Sequence, residues 1–169
     1  MAEIISAFFG DGSKWGIQID YSLEDKPLST MAPLKLIKDL PDNFLIMNGD
    51  LLTDIHYGNL FELHVNHQNL FTISSYRRKQ VSQYGVLDIN ENYRLTGFRE
   101  KPVSEYLVSM GVYVANRKVL DMIPPDTPYG FDTLMNELLS RDKHPEVIEH
   151  PGYWLDIGQI LFRLRLDIN

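Results

Sequence analysis

Asp42-Asn43-Phe44-Leu45-Ile46-Met47-Asn48-Gly49-Asp50 is the stretch on which the architecture turns. Four apolar residues run without interruption between two turn-forming clusters. A run that short, unbroken by polar residues, reads as a central strand covered on both faces. In open α/β sheets, ligands bind beyond the carboxyl ends of strands. Asn48-Gly49-Asp50 stands at that end. Gly49 lets a backbone approach closely, and Asp50 offers a hard oxygen suited to Mg²⁺. A plain turn in which Asp50 caps the next segment is the competing reading.

Upstream, Ala2 to Phe9 reads as a short helix closed by Gly10 and Gly12. Gly16 to Tyr21 alternates and reads as a strand. Pro33 suits the first position of a helix to about Leu40. Downstream, Tyr57 to His67 reads as a helix and Leu70 to Tyr76 as a strand. Tyr84 to Ile89 and Tyr93 to Phe98 flank Asn90-Glu91-Asn92 as a hairpin. Leu107 to Val114 is a further strand, and Arg117 to Ile123 a short helix stopped by Pro124-Pro125. Phe131, Leu134, Met135, Leu138 and Leu139 lie on one helical stripe. Val147-Ile148 reads as a strand and Ile157 to Ile168 as a terminal helix. Helices and strands alternate, and a hairpin follows, which gives an α/β layered domain with a mixed sheet. Such sheets usually begin with an apolar strand and a phosphate-binding turn. This chain opens in a helix, as though in the middle of a domain.

Composition narrows the function. The 169 residues carry 44% apolar and 23% charged side chains, with 16 Lys plus Arg against 23 Asp plus Glu, for a net charge of −7. A duplex nucleic-acid binder needs a basic footprint, so that class is excluded. A small phosphorylated substrate is not, since one Lys and a metal reverse the sign inside a pocket. With no cysteine, disulfides, thiolate zinc sites and cysteine nucleophiles are excluded. No apolar run approaches a membrane span, and the N-terminus lacks a basic signal-peptide region, so a cytoplasmic location is expected.

Trp154-Leu155-Asp156-Ile157-Gly158 sets Asp156 before a helix, as an N-cap or as a second metal carboxylate. In Glu100-Lys101-Pro102, the proline biases Lys101 toward extended backbone, and the lysine suits a phosphate as a point charge. A solvated ion pair at a strand end is the alternative. Gly10-Asp11-Gly12-Ser13-Lys14 lacks phosphate-loop spacing and reads as a helix stop plus turn. His64 and His67 read as surface histidines without a third zinc ligand. Tyr76-Arg77-Arg78-Lys79 reads as a solvated basic loop able to receive an anion, and Phe8, Phe9 and Trp15 as core.

Taken in order, these segments resemble the sugar-1-phosphate nucleotidyltransferases, or NDP-sugar pyrophosphorylases. The series comprises Gly12-Ser13 with Gly16 to Tyr21, Glu24 with Pro27-Leu28-Ser29-Thr30, and Phe44 to Asp50 with Leu52-Thr53-Asp54. It continues with Tyr84-Gly85-Val86, Thr96-Gly97-Phe98-Arg99-Glu100-Lys101-Pro102, Met110-Gly111-Val112-Tyr113-Val114 and Tyr153-Trp154-Leu155-Asp156-Ile157-Gly158. The resemblance implies an α/β fold, a Rossmann-like layered domain with a mixed, mostly parallel central sheet. One nucleotidyltransferase domain would span residues 1–169, truncated at its N-terminus. The implied chemistry joins a nucleoside triphosphate to a sugar 1-phosphate and releases pyrophosphate.

The implied roles follow residue by residue. Asp50 and Asp156 would hold the catalytic Mg²⁺. Lys101 would contact the sugar phosphate, Glu100 the sugar hydroxyls, the Gly85 N–H the sugar, and Ser109 the same pocket. Ser29 and Thr30 would line the base and ribose, and Gly49, Tyr84 and Gly111 complete the substrate-binding set. The chain departs from many members at Ser29-Thr30-Met31-Ala32 and at Ser109-Met110-Gly111, which bear on base and sugar identity. The family's opening strand, glycine-rich loop and Lys-Pro segment have no counterpart here, so the resemblance implies the family chemistry without implying turnover by this chain alone. A strand so lost would sit beside Phe44 to Met47, and self-association or a partner chain covering that position is expected. Two alternatives stand: a non-catalytic sugar-nucleotide-binding remnant or partner subunit, and a glycosyltransferase with a related fold. The last ranks lowest, because Asn48-Gly49-Asp50 is not the Asp-x-Asp those enzymes place on a metal.

Overall fold

The computed structural model describes residues 2–158, and they form two compact units. One combines residues 41–117 with the segment from His144 onward; the other combines residues up to Leu40 with Lys118–Lys143.

The larger unit is built on a four-stranded sheet. Its strands are β1 (Asn43–Met47), β3 (Phe71–Val81), β6 (Val103–Asn116) and β7 (Glu146–Glu149), in the order β1-β6-β3-β7. β6 runs antiparallel to both β1 and β3, and β3 pairs β7 in parallel. Three of the four strands therefore point the same way, which is the mixed, mostly parallel sheet expected. Helix α2 (Tyr57–Asn66) packs Leu60 against Val112 and Val114 of β6, and Leu45, Ile55, Phe61 and Ile148 close around them. Two small ribbons complete the unit. β2 (Leu51–Thr53) pairs antiparallel with β8 (Trp154–Asp156), and β4 (Val86–Ile89) with β5 (Leu95–Arg99).

Several expectations change here. Phe44 to Met47 is a strand, but among the described residues it ends the sheet instead of lying at its centre, and only Phe44 in it is buried. Tyr76-Arg77-Arg78-Lys79 is not a loop: β3 continues through it, because β6 is long enough to pair it residue for residue. Arg77 is bidentate to Glu149 and Lys79 reaches Glu105 at 3.2 Å, so neighbouring strands neutralise the cluster. His64 is not on the surface. It is wholly buried, with Nδ1 2.8 Å from Thr72 Oγ1 and Nε2 3.2 Å from Asn43 Oδ1, and it ties α2 to two strands. His67 is at the surface, paired with Glu146.

In the smaller unit, α1 (Ala2–Phe9) and α3 (Phe131–Ser140) form as expected. Leu134 and Leu138 of α3 are buried. The backbone of 28–32 bonds to Tyr129, and Lys35 Nζ donates to the Ile123 carbonyl at 2.8 Å. Three 3-10 turns, Ser13–Trp15, Ala32–Leu36 and Arg117–Met122, link these pieces. The helix expected from Pro33 to Leu40 is thus only a short 3-10 turn, and Gly16 to Tyr21 forms no strand because no neighbour among the described residues pairs it. Gly10 and Gly12, both at positive φ, stop α1 and turn the chain as expected. Phe8, Phe9 and Trp15 are not core: they are 63%, 40% and 49% exposed and lean on one another with centroids 4.9–6.2 Å apart. The expected terminal helix lies outside the described residues after Ile157 and Gly158. Among the described residues no helix is long and apolar enough to cross a membrane.

Candidate active site

The carboxyl end of β1 runs straight into Asn48-Gly49-Asp50 and then β2. Because β2 pairs β8 with Leu51 opposite Asp156, the register delivers Asp156 to the end of β1. The Ile157 N–H donates to the Asp50 carbonyl at 3.0 Å and extends the ribbon by one bond. The two carboxylates meet across Gly158. A methyl group there would fall 2.7 Å from Asp50 Oδ2 and 3.3 Å from Asp156 Oδ1. Asp50 is exposed and Asp156 half-buried.

Two carboxylates brought this near one another suit a small divalent cation, which takes one or two protein carboxylates and fills its shell from water and substrate phosphate. Among the described residues no cluster of three or more His, Asp or Glu could hold a metal unaided.

Trp154 seats β8 on the main sheet. Its indole Nε1 donates to the Met110 carbonyl at 3.0 Å, its ring lies 5.5 Å from that of Tyr76, and the Arg78 guanidinium sits 6.0 Å from its centroid. At the other end of the ribbon, Asp54 Oδ1 accepts the Tyr153 N–H at 2.6 Å and lies 2.7 Å from His150 Nε2. These donors, His150 first and then Tyr153, hold the Asp54 carboxyl below its ordinary range.

The remaining candidates fall into separate groups. Gly111 stands in β6 at φ +75, and a Cβ there would come 2.7 Å from Asn48 Nδ2, so glycine is what lets β6 pass the Asn48-Gly49-Asp50 turn. The Asn48 N–H donates to the Gly111 carbonyl at 2.9 Å. Ser109 Oγ lies 2.9 Å from Tyr113 OH and 3.3 Å from the Gly111 nitrogen, whose N–H donates to it. Burial pushes the Tyr113 phenol above its usual value, so it serves Ser109 as a neutral partner. On the β4–β5 hairpin, Gly85 stands 3.2 Å from Glu100 Oε2, measured from where its Cβ would be, and Phe98 packs over it. Tyr84 is 79% exposed beside it.

Lys101 departs from the expected extended backbone: its φ is +43, a left-handed conformation unusual for a residue before proline. Such outliers concentrate at ligand sites. Ser29 shares the trait at φ +67. Its neighbour Thr30 accepts the Phe131 N–H at 3.0 Å and caps α3. Ser29 and Thr30 belong to the smaller unit, and the carboxylates to the larger.

Sequence reasoning missed the link between Asp54 and His150. Asp54 lies inside a recognised segment, but nothing local marks His150, whose role comes entirely from a strand crossing.

A family model described as nucleotidyl transferase matches residues 2–162. Mannose-1-phosphate guanylyltransferase catalytic subunit beta of Dictyostelium discoideum is 33% identical over 153 residues, covering 86% of this chain and 42% of that protein. Mannose-1-phosphate guanyltransferase of Saccharomyces cerevisiae is 30% identical over 155 residues, with 86% and 42% covered. The chain thus spans less than half the length of these curated relatives. Among solved structures, HddC from Yersinia pseudotuberculosis aligns with a TM-score of 0.64 at 21% identity, over 99% of this chain and 74% of that one. That likeness is one of fold.

Proposed function

The chain belongs to the nucleotidyl transferase family, and on that premise we propose that residues 1–169 are part of one catalytic domain that makes an NDP-sugar and pyrophosphate from a nucleoside triphosphate and a sugar 1-phosphate. The observation that carries the reading is the meeting of Asp50 and Asp156 across Gly158. The names of the relatives make guanosine triphosphate and mannose 1-phosphate the first pair to test.

In this reaction a phosphate oxygen of the sugar phosphate attacks the α-phosphorus, the bond to the β-phosphate oxygen breaks, and pyrophosphate leaves with that oxygen. Two polyanions must approach in line, so positioning and charge neutralisation carry the catalysis. Asp50 and Asp156 are the residues that would hold Mg²⁺, which when bound screens the phosphate charge. Lys101 supplies a cation for the sugar phosphate. Its left-handed backbone is a fixed kink after Glu100, whose carboxylate faces Gly85 and stands ready for sugar hydroxyls. Ser109, Tyr84 and Gly111 border the sugar, Gly49 lets the β1 turn approach a phosphate, and Ser29 with Thr30 lines the base and ribose. A cytoplasmic location belongs to the same proposal.

A partner is part of it as well. β1 pairs a strand on one side only among the described residues, and its Met47 is 49% exposed. A strand supplied by a second copy or a partner chain would satisfy that edge. The same observation favours a second reading, a sugar-nucleotide-binding subunit without turnover.

Pyrophosphate release from GTP and mannose 1-phosphate, measured with Mg²⁺ present, decides between them. The first reading expects release that requires both substrates and is abolished by Asp50→Asn or Asp156→Asn. No release, with GDP-mannose bound in calorimetry, selects the second. Neither release nor binding with any sugar nucleotide overturns both.

A further inference from the structure

β2 and β8 are three residues each, and an isolated two-stranded ribbon is marginal in water. A one-residue slip in such a pair turns every side chain to the opposite face. Asp156 then would point away from Asp50. Trp154, bonded to the Met110 carbonyl, is one hold on that register.

The far end of the ribbon carries a fastening. The Asp54 N–H donates to the Tyr153 carbonyl at 3.3 Å, and the Tyr153 N–H donates to Asp54 Oδ1 at 2.6 Å. His150 Nε2 reaches the same oxygen at 2.7 Å. The His150 side chain is 13% exposed, and its backbone N–H donates to the Ser75 carbonyl of β3 at 2.7 Å, so the imidazole is rooted on the main sheet. Gly152 allows the loop to close on this carboxylate: a Cβ there would sit 2.7 Å from His150 Nε2 and run into Asp54 Oδ1. Main sheet, His150, Asp54, Tyr153 and β8 thus form one connected path, with the paired carboxylates at its other end.

We propose that Asp54, held by His150, is a positioning residue that sets the register of β8 on β2 and thereby keeps Asp156 beside Asp50. The consequence for metal binding rests on the proposed role of that pair; the placement itself does not. The donors converging on Asp54 favour its anionic form, as a charge-accepting latch requires.

Backbone amide exchange of the full chain tests the placement without any metal. In Asp54→Ala the Ile157 amide, which donates to the Asp50 carbonyl, should exchange about tenfold faster, while Val112 and Val114 in β6 keep their protection. Wild-type exchange at Ile157 overturns the proposal. Should Asp54→Ala unfold as a whole, seen as lost protection at Val112 and Val114, the same reading is taken from His150→Gln, and an unchanged Ile157 there overturns it. In a second arm, Mn²⁺ alone is titrated and its free signal followed by electron paramagnetic resonance. Binding should weaken about tenfold in Asp54→Ala and return when Leu52→Cys and Leu155→Cys, which face each other in the register, are joined by a disulfide. Weakening that the disulfide does not restore overturns the register mechanism. A wild-type chain that binds no Mn²⁺ overturns the metal reading alone, and the exchange result still decides the latch.

Discussion

His64 shows how a single buried residue makes stability depend on pH. Asn43 Oδ1 accepts from Asn116 Nδ2 and faces His64 Nε2, so that nitrogen carries the proton and Nδ1 accepts from Thr72. Burial holds the imidazole below its ordinary value of 6.5, with Glu146 opposing the shift. The folded state therefore binds fewer protons than the unfolded chain. The stabilisation is complete above the unfolded value of 6.5 and is lost as pH falls from there toward the lowered folded value. Denaturant midpoints should decline as pH falls below about 6.5, and His64→Gln should flatten that decline. Asp54, Glu146 and Glu149 also lie below their ordinary values, but their contributions fade only below the carboxylate range, so the two windows separate. Gly158 governs a different property. In Gly158→Ala the new methyl meets carboxylate ends that can rotate away, so stability should change by no more than about 0.5 kcal/mol. Mn²⁺ affinity, measured by titration, should nevertheless fall, because the rotation separates Asp50 from Asp156. The motif around Asp156 was legible as a metal candidate. Which glycine the two carboxylates share was not, since that contact exists only once β8 lies on β2.

Elements were legible in proportion to how far they depend on themselves. α3 carries its stripe in five apolar residues, and the helix forms where they fall. Leu134, wholly buried on that stripe, should cost about 2–5 kcal/mol as Leu134→Ala in denaturant unfolding. Strands depend on partners, and their limits were misjudged in both directions. Gly16 to Tyr21 alternates well and finds nothing to pair. Tyr76 to Lys79 is basic and breaks the apolar pattern, yet β6 carries it on as strand. Local periodicity holds no record of the neighbour's length. Gly111 marks where β6 bends around the Asn48 turn. Gly111→Ala should lower the melting temperature through about 1–3 kcal/mol of backbone strain, and should displace Asn48 from the loop that ends in Asp50.

At the scale of the molecule, two features of the described residues invite another chain. Among the described residues β1 has an unpaired edge, and α1 buries no residue, with Ile4 73% and Phe8 63% exposed. Exposed edges and apolar patches recruit other chains. Light scattering should show mass rising with concentration. Ile4→Lys combined with Phe8→Lys should suppress the rise if α1 drives it, and Met47→Lys should do so if β1 does. A concentration-independent monomer in the unmodified chain would remove both surfaces from consideration. The class of fold was readable from the alternation of elements. The open edge was foreseen only through the family resemblance, since no residue in Phe44 to Met47 says whether it has one neighbour or two. The division into two units has a consequence for synthesis. The smaller unit is discontinuous: residues up to Leu40 are joined by Lys118–Lys143. On the ribosome its first portion must wait while the intervening stretch is translated. At about 5–20 residues per second that delay is on the order of ten seconds. Throughout it Leu28, Met31 and Ala32, which are buried in the finished unit and whose backbone bonds Tyr129, are offered to whatever meets the nascent chain, so nascent-chain chaperones should crosslink most strongly to stalled chains that end before Tyr129 and release those that end beyond α3.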